Sequence, residues 1–151
     1  HYRPLVEHWD GSRWKLVATP DVGGADGFLS GVAAVGPGDV WTVGWTARGD
    51  ALQPLVEHWD GRTWSVVPEP AGAEHASLAA VAATPSGVVA VGRQLATAQP
   101  QPLALLRVGD AWTTLSTDVG SDAWLTGVTV DAAGIDVDHE TACCDIVIAE
   151  Q

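Results

Sequence analysis

Three carboxylates alternate near the end of the chain: Asp136, Asp138 and Glu140, with His139 between the last two. If residues 135–140 form a strand, alternation places the three carboxylates on one face. Buried and unpaired, they would repel one another strongly, and a divalent cation would relieve that repulsion. Oxygen ligands suit Ca²⁺ or Mg²⁺, whereas His139 and the nearby cysteines would favour Zn²⁺. Two alternatives are solvated carboxylates with no ligand and a catalytic group of carboxylates with His139.

The cysteines Cys143 and Cys144 are adjacent and are the only two in the chain. Adjacency excludes a disulfide framework and a Cys-x-x-Cys metal or redox motif. Neighbouring Cα atoms lie about 3.8 Å apart, less than the roughly 4.4 Å minimum of ordinary disulfides, so a bond between the two would be strained. The pair is therefore either two free thiols or a vicinal disulfide, which would require an oxidising compartment.

The eight tryptophans fall into recurring and non-recurring positions. Those that recur in all three repeats described below are expected to pack between strands: Trp14, Trp64 and Trp112. An exposed indole stacks on the apolar face of a sugar and offers its N–H as a donor. Tryptophans that do not recur are freer to line a pocket, and the ligand-binding candidates are Trp41, Trp45 and Trp124.

His58 lies two residues before Asp60, in a stretch that also occurs near the N-terminus as His8 and Asp10. Alternation along a strand puts His58 and Asp60 on the same face. They would then pair, either as a general base with its orienting carboxylate or as a structural hydrogen bond in a turn.

One unit recurs along the chain, and it must position all of these residues. Residues 4–14 recur almost unchanged as residues 54–64, and more weakly as residues 102–112. A second recurring stretch begins at Leu29, Leu78 and Leu125 and is followed each time by a turn and another run, which aligns residues 40–45 and 88–93 with residues 135–140. A repeat of this length indicates one supersecondary unit in several copies.

Each unit is predicted to contain short strands and no helix. Runs rich in Val, Leu, Thr and Trp lie between Gly, Pro and Asp turns, and no stretch keeps a 3.6-residue period. Asp-Gly pairs between apolar runs are typical of tight hairpins. The predicted strands cover residues 4–9, 13–18, 28–35, 40–46, 54–59, 63–67, 77–83, 88–93, 102–108, 111–115, 124–130 and 135–140.

Four antiparallel strands repeated every 40 to 50 residues or so are typical of β-propeller blades. The motif His-Trp-Asp-Gly-x-x-Trp at residues 8–14 and 58–64, with Asp-Val-Trp-Thr-Val-Gly at 39–44, resembles the Trp-rich propeller repeats of secreted bacterial proteins, of the kelch and galactose-oxidase-like type. The hairpins at 10–14 and 60–64 are also similar to the Asp-boxes of sialidase-type propellers. The resemblance implies an all-β propeller of four-stranded antiparallel blades in an extracellular protein.

Residues 3–140 divide into about three such blades. Residues 28–67 and 77–116 each supply a blade, residues 124–140 with residues 3–18 supply the two halves of another, and residues 141–151 form a tail. Rings of this kind typically have four to eight blades. We therefore expect either a homo-oligomer, in which two chains complete a six-bladed ring, or a longer propeller chain of which these residues are a part.

The net charge of the chain limits the classes of partner that it can bind. Seven Lys and Arg against nineteen Asp and Glu give a formal net charge of −12. Such a chain repels phosphate backbones and anionic membrane surfaces. The longest apolar run, residues 78–92, is interrupted at residues 84–87 and is too short to span a bilayer. We expect neither nucleic acid nor a membrane as a partner.

The function predicted from these features is that of a non-catalytic binding or interaction module, which recognises a glycan or a protein through loops at one end of the ring. The alternative is a propeller enzyme, a hydrolase or lyase, that uses Asp136, Asp138, His139 and Glu140 with or without a divalent metal. A third reading is a purely structural repeat segment. The sequence implies no other cofactor and leaves the question of catalysis open.

Overall fold

The computed structural model describes residues 1–69, 71–95, 99–120 and 122–141, excluding the side chains of residues 140 and 141. Strands account for 63% of the described residues, and no helix is found in these ranges, which confirms the all-β prediction. No helix able to cross a membrane occurs within this described part.

Twelve strands form in the part of the chain that the structure describes, and each predicted strand is confirmed to within three residues at its ends. They are β1 Val6–Trp9, β2 Trp14–Val17, β3 Asp26–Gly36, β4 Asp39–Arg48, β5 Ala51–Trp59, β6 Trp64–Val66, β7 Ala76–Thr84, β8 Gly87–Gln94, β9 Gln101–Val108, β10 Ala111–Leu115, β11 Ala123–Val130 and β12 Ile135–Thr141.

These strands make four antiparallel sheets, none of which is closed. Strands β3 to β6 form the first sheet and β7 to β10 the second, and in each of them neighbours in sequence are neighbours in space. Strands β1 and β2 form the N-terminal hairpin, and β11 and β12 form the C-terminal hairpin. Each of these hairpins is a separate two-stranded sheet.

The Asp-Gly turns form as the sequence predicts. Gly11 and Gly61 adopt φ angles of 96° and 94°, in the region that favours glycine. The carboxylates of Asp10 and Asp60 accept hydrogen bonds from backbone N–H groups two and three residues later, which closes each turn. A hydrogen bond from Lys15 and further bonds within the turn hold the pKa of Asp10 well below its usual range.

Strand register establishes which positions of the three repeats are equivalent. The first strand of each repeat carries an irregularity at the same place, between residues 29 and 31, 78 and 80, and 125 and 127. The first residue after the irregularity pairs with the second strand of its repeat, and its partner there is Val43, Val91 or Asp138. The predicted alignment is therefore confirmed, and Asp138 stands where the other two repeats have valine.

The core has two layers because the second sheet is covered on both faces. Val88 and Ala90 face the first sheet and join a cluster with Val43 and Val56. The residues between and after them face the C-terminal hairpin, where Val89 and Val91 pack with Ala104 and Leu125. A strand buried on both faces reads as a continuous apolar run, which explains the sequence of residues 88–91.

The N-terminal hairpin is attached to the start of β3. The Tyr2 N–H donates to Asp26 Oδ1 at 2.7 Å, and the Gly27 N–H donates to the Tyr2 carbonyl at 3.1 Å. The side chain of Pro4 lies directly over Gly27, where a Cβ would come within 3 Å of the proline ring. Glycine at position 27 therefore allows this close approach.

We predict that the two-layered core carries most of the stability. Leu105→Ala removes a fully buried side chain from the first cluster and should lower the free energy of unfolding by about 2–5 kcal/mol. The matched change at the exposed Leu95, Leu95→Ala, should lower it by about 0.5 kcal/mol or less. Chemical denaturation of both variants measures the difference, and equal losses would contradict this core.

Candidate functional site

A groove of about 650 Å³ runs beside β12, whose only hydrogen-bonded neighbour in the described structure is β11. Its floor is the apolar face of the second sheet, where Val89 and Ala104 are buried and Leu115 is partly exposed. One wall is β12 itself, from which Asp136 and His139 line the groove. The groove therefore combines an apolar floor, a polar rim and an unpaired strand edge.

The structure places Asp136 and Asp138 as the alternation predicted. Val137, between them, packs against the second sheet, so the two exposed carboxylates lie on the opposite face of β12. The carboxylate of Asp138 leans over Gly127, where a Cβ would lie 2.7 Å from Asp138 Oδ2. The backbone of residue 140 continues the alternation, and its side chain lies outside the described residues.

The predicted metal ligands do not assemble further among the described side chains. In the ranges given above, no group of three or more His, Cys, Asp or Glu side chains could hold a metal ion. Glu140, which the sequence assigned to the site, is outside that set, and Cys143 and Cys144 lie outside the described residues altogether. A metal or a catalytic role at residues 136–140, and a bond between the cysteines, therefore stay predictions.

Trp41, one of the three predicted ligand-binding tryptophans, is a core residue. It is 8% exposed and belongs to the cluster between the two large sheets. Its Nε1–H donates to Asp39 Oδ1 at 2.7 Å, and its ring stacks on His58 with centroids 4.2 Å apart. Burial of the ring and use of its donor leave little of Trp41 to present to a ligand.

The other two candidates, Trp45 and Trp124, are partly exposed. Trp45 stacks on Phe28 with ring centroids 4.1 Å apart. The guanidinium of Arg93 lies 5.7 Å from the centroid of Trp124, within the range of a cation–π contact. Both indoles therefore keep some surface open to solvent while neighbouring groups fix their position.

These side chains lie at one end of the sheets. One cross-strand pair is equivalent in the three repeats: Phe28 with Trp45, residue 77 with residue 93, and Trp124 with residue 140. Tyr2 extends the row, with its ring 5.2 Å from that of Phe28. We call this set the aromatic end: Tyr2, Phe28, Trp45, Arg93 and Trp124.

The predicted pairing of His58 with Asp60 is wrong. His58 Nε2 lies 2.8 Å from Asp39 Oδ1, the same oxygen that accepts from Trp41. Asp60 instead accepts the backbone N–H groups of its own turn. Asp39 begins the neighbouring strand β4, so only the pairing of β4 with β5 brings it to His58. The local sequence carried no signal for this partner.

The recurring tryptophans differ in their surroundings. Trp112 packs against the first cluster, whereas Trp14 is 63% exposed. Arg107, which stands at the position of Trp59 in the weaker repeat, lies 5.2 Å from the centroid of Trp41 and 5.5 Å from that of Trp112. Its guanidinium also pairs with Asp110 at 2.9 Å. Arg107 thus links the two large sheets, a role that the sequence did not reveal.

Glu57 is the second feature that the sequence did not reveal. Its side chain is fully buried, and neither carboxylate oxygen has a hydrogen-bond partner in the described structure. Burial raises the pKa of Glu57 to about 7. Its cross-strand neighbour Thr42 opposes part of that rise, although the hydroxyl does not reach full hydrogen-bond geometry. Glu7, the same residue in the N-terminal repeat, is exposed.

No protein family model, curated protein or solved structure matches the chain.

The buried carboxyl of Glu57 predicts a pH dependence of stability. The folded chain keeps this proton up to about pH 7, whereas the unfolded chain releases it near 4.5. The free energy of unfolding should therefore fall as pH rises between these values, by roughly 2–3 kcal/mol. Glu57→Gln, which is uncharged at every pH, should remove this fall and be the more stable form at pH 8.

Denaturation at pH 5 and pH 8 checks this, with the exposed Glu74 as the matched control. Glu74→Gln should keep the pH dependence of the unsubstituted chain. A Glu57→Gln protein with an unchanged pH dependence would show that Glu57 is ionised in the folded state.

Proposed function

We propose that the chain is a binding module built as part of a β-propeller, and that the aromatic end recognises its ligand. The propeller architecture is supported by the order of packing. One face of the first sheet covers the second sheet, and the other face of the second sheet is covered by the C-terminal hairpin. The leading strands β3, β7 and β11 lie next to one another in that order.

The two hairpins are the halves of a further four-stranded unit in this proposal. The N-terminal hairpin repeats residues 54–61 of β5 and its turn identically and keeps the tryptophan that begins β6, and the C-terminal hairpin has the register of β3 with β4. Together they would complete a sheet like the first and second. In a propeller, loops at one end of such sheets surround a shared cavity.

The observation that carries the ligand proposal is the aromatic end. Trp45 and Trp124 are each partly exposed, each held by a ring or a guanidinium, and lie on equivalent rungs of different sheets. The exposed part of an indole fixed in this way suits the apolar face of a sugar ring. We therefore propose a glycan as the ligand, in an extracellular setting.

The net charge narrows the class of glycan. A chain with a formal net charge of −12 repels polyanions such as sulfated or uronic polysaccharides. Neutral oligosaccharides are therefore the proposed class. A protein partner at the same end is the alternative ligand and would show itself as an absence of glycan binding.

No observation on the described side chains favours the enzyme alternative over binding. Asp136 and His139 line the groove beside β12, but the described carboxylates there are exposed. Catalytic acids and bases usually need burial or a charged neighbour to reach a working pKa. Catalysis at residues 136–140 is accordingly left as a sequence-level prediction.

The binding proposal predicts a change in tryptophan fluorescence when neutral oligosaccharides are titrated onto the chain. Trp124→Ala and Trp45→Ala should each weaken binding about tenfold, a loss of about 1.4 kcal/mol. Trp14→Ala removes an exposed indole near a turn, outside the aromatic end, and should leave affinity unchanged. Failure of a broad panel of neutral glycans to bind, or equal losses in all three variants, would overturn the proposal.

A further inference from the structure

Two identical segments of this chain have different surroundings. Residues 4–11 and residues 54–61 have the same sequence. In the second segment Leu55 is 3% exposed, whereas Leu5, its counterpart, is 62% exposed. Exposing a leucine that its copy buries forgoes the stabilisation that burial of its side chain would give. The N-terminal hairpin therefore offers an apolar face that matches a buried one and is uncovered.

The strand edges beside this face are also unmatched. In the first sheet β5 pairs with β4, but within the described residues β1, the copy of β5, pairs only with β2. Conversely, β12 has the position of β4, and its only partner in the described part of the chain is β11. An edge strand presents a row of unpaired N–H and C=O groups. Each hairpin thus carries the edge that the other lacks.

The register of the first sheet specifies how these two edges would meet. Trp41 lies opposite His58, and Thr42 lies opposite Glu57. The equivalent pairs are Asp136 with His8 and Val137 with Glu7. A carboxylate opposite a histidine is a favourable cross-strand pair.

Charge on the two hairpins is complementary beyond that pair. The C-terminal hairpin, residues 123–141, contains several carboxylates and no Lys or Arg. The N-terminal hairpin and the residues just before it contain Arg3, His8, Arg13 and Lys15 alongside two carboxylates. Opposite charge on two surfaces favours their association over association of either surface with itself.

The groove lies beside β12, where β1 and β2 of another copy would extend the C-terminal hairpin to a four-stranded sheet. In the first core cluster, Leu103 of the second sheet packs against the first sheet. Leu5 stands at the same position of the repeat, and the face it would meet is the groove floor of Val89, Ala104 and Leu115. The apolar floor and the exposed leucine therefore fit each other.

A second uncovered face confirms the pattern. Val32 of the first sheet is 67% exposed, while its counterpart Val81 in the second sheet is 8% exposed because the first sheet covers it. The N-terminal hairpin is attached beside this face through Pro4 and Gly27. A second hairpin paired to the edge of β1 would widen the N-terminal sheet, so that it covers the face of the first sheet that carries Val32.

We propose that β12 of one copy pairs with β1 of a second copy, with Leu5 of that copy seated in the groove. Because each copy has both edges, two copies pair both β1 edges and both β12 edges reciprocally and form a closed dimer. This dimer rests on the repeat architecture in the proposed function, and it does not depend on the glycan at the aromatic end.

Light scattering across a dilution series of the 151-residue chain tests the pairing. The unsubstituted chain should have twice the mass of one copy and dissociate on dilution. Asp136→Lys places a cation opposite His8 at both symmetric interfaces and should weaken the dimer about tenfold or more. Adding His8→Asp to Asp136→Lys places a carboxylate opposite the new lysine and should recover most of the affinity.

Two further variants complete the test. Glu74→Lys makes the same charge change at an exposed loop position and should leave the dimer intact. Leu5→Asp, which puts a charge on the apolar floor, should give a monomer by light scattering. Circular dichroism should show that this monomer is folded.

A monomer at every concentration would overturn the proposal, and would point to another segment of a longer chain as the cover of both hairpins. A dimer unaffected by Asp136→Lys and Leu5→Asp would also overturn it, because the interface would lie elsewhere. Glycan binding reports separately: a monomer that binds glycan refutes only the dimer, and a dimer that binds none refutes only the ligand.

Discussion

Coverage of sheet faces is the constraint on which this structure depends. A strand with apolar residues on both faces is stable only when a neighbouring layer covers each face. The second sheet meets that condition, with the first sheet on one side and the C-terminal hairpin on the other. The first sheet and the two hairpins are covered on only part of their surface. Their exposed valines, leucines and strand edges lie where no layer covers them.

The sequence was a good guide to local structure because the relevant signals are local. Asp-Gly turns, apolar runs and the repeat predicted all twelve strands and the equivalence of Val43, Val91 and Asp138. The all-β class followed from the same patterns. The propeller itself stays a proposal, since the described sheets do not close.

The candidate site was harder to predict, for a physical reason. Glu7 and Glu57 lie in identical segments, and only tertiary packing buries one and exposes the other. His58 meets Asp39 across paired strands and not its neighbour Asp60 in the chain. Trp41 was a ligand candidate because it does not recur, yet it lies in the core. Identity of sequence therefore did not imply identity of environment.

The proposed dimer requires that β1 pairs with β12 of the other copy, as β5 pairs with β4. Hydrogen exchange of individual backbone amides in concentrated solution tests this pairing most directly. If the pairing forms, the β1 and β12 amides equivalent to those that join β4 with β5 should be protected to a similar degree. Rapid exchange of those amides, beside slow exchange in β4 and β5, would contradict it.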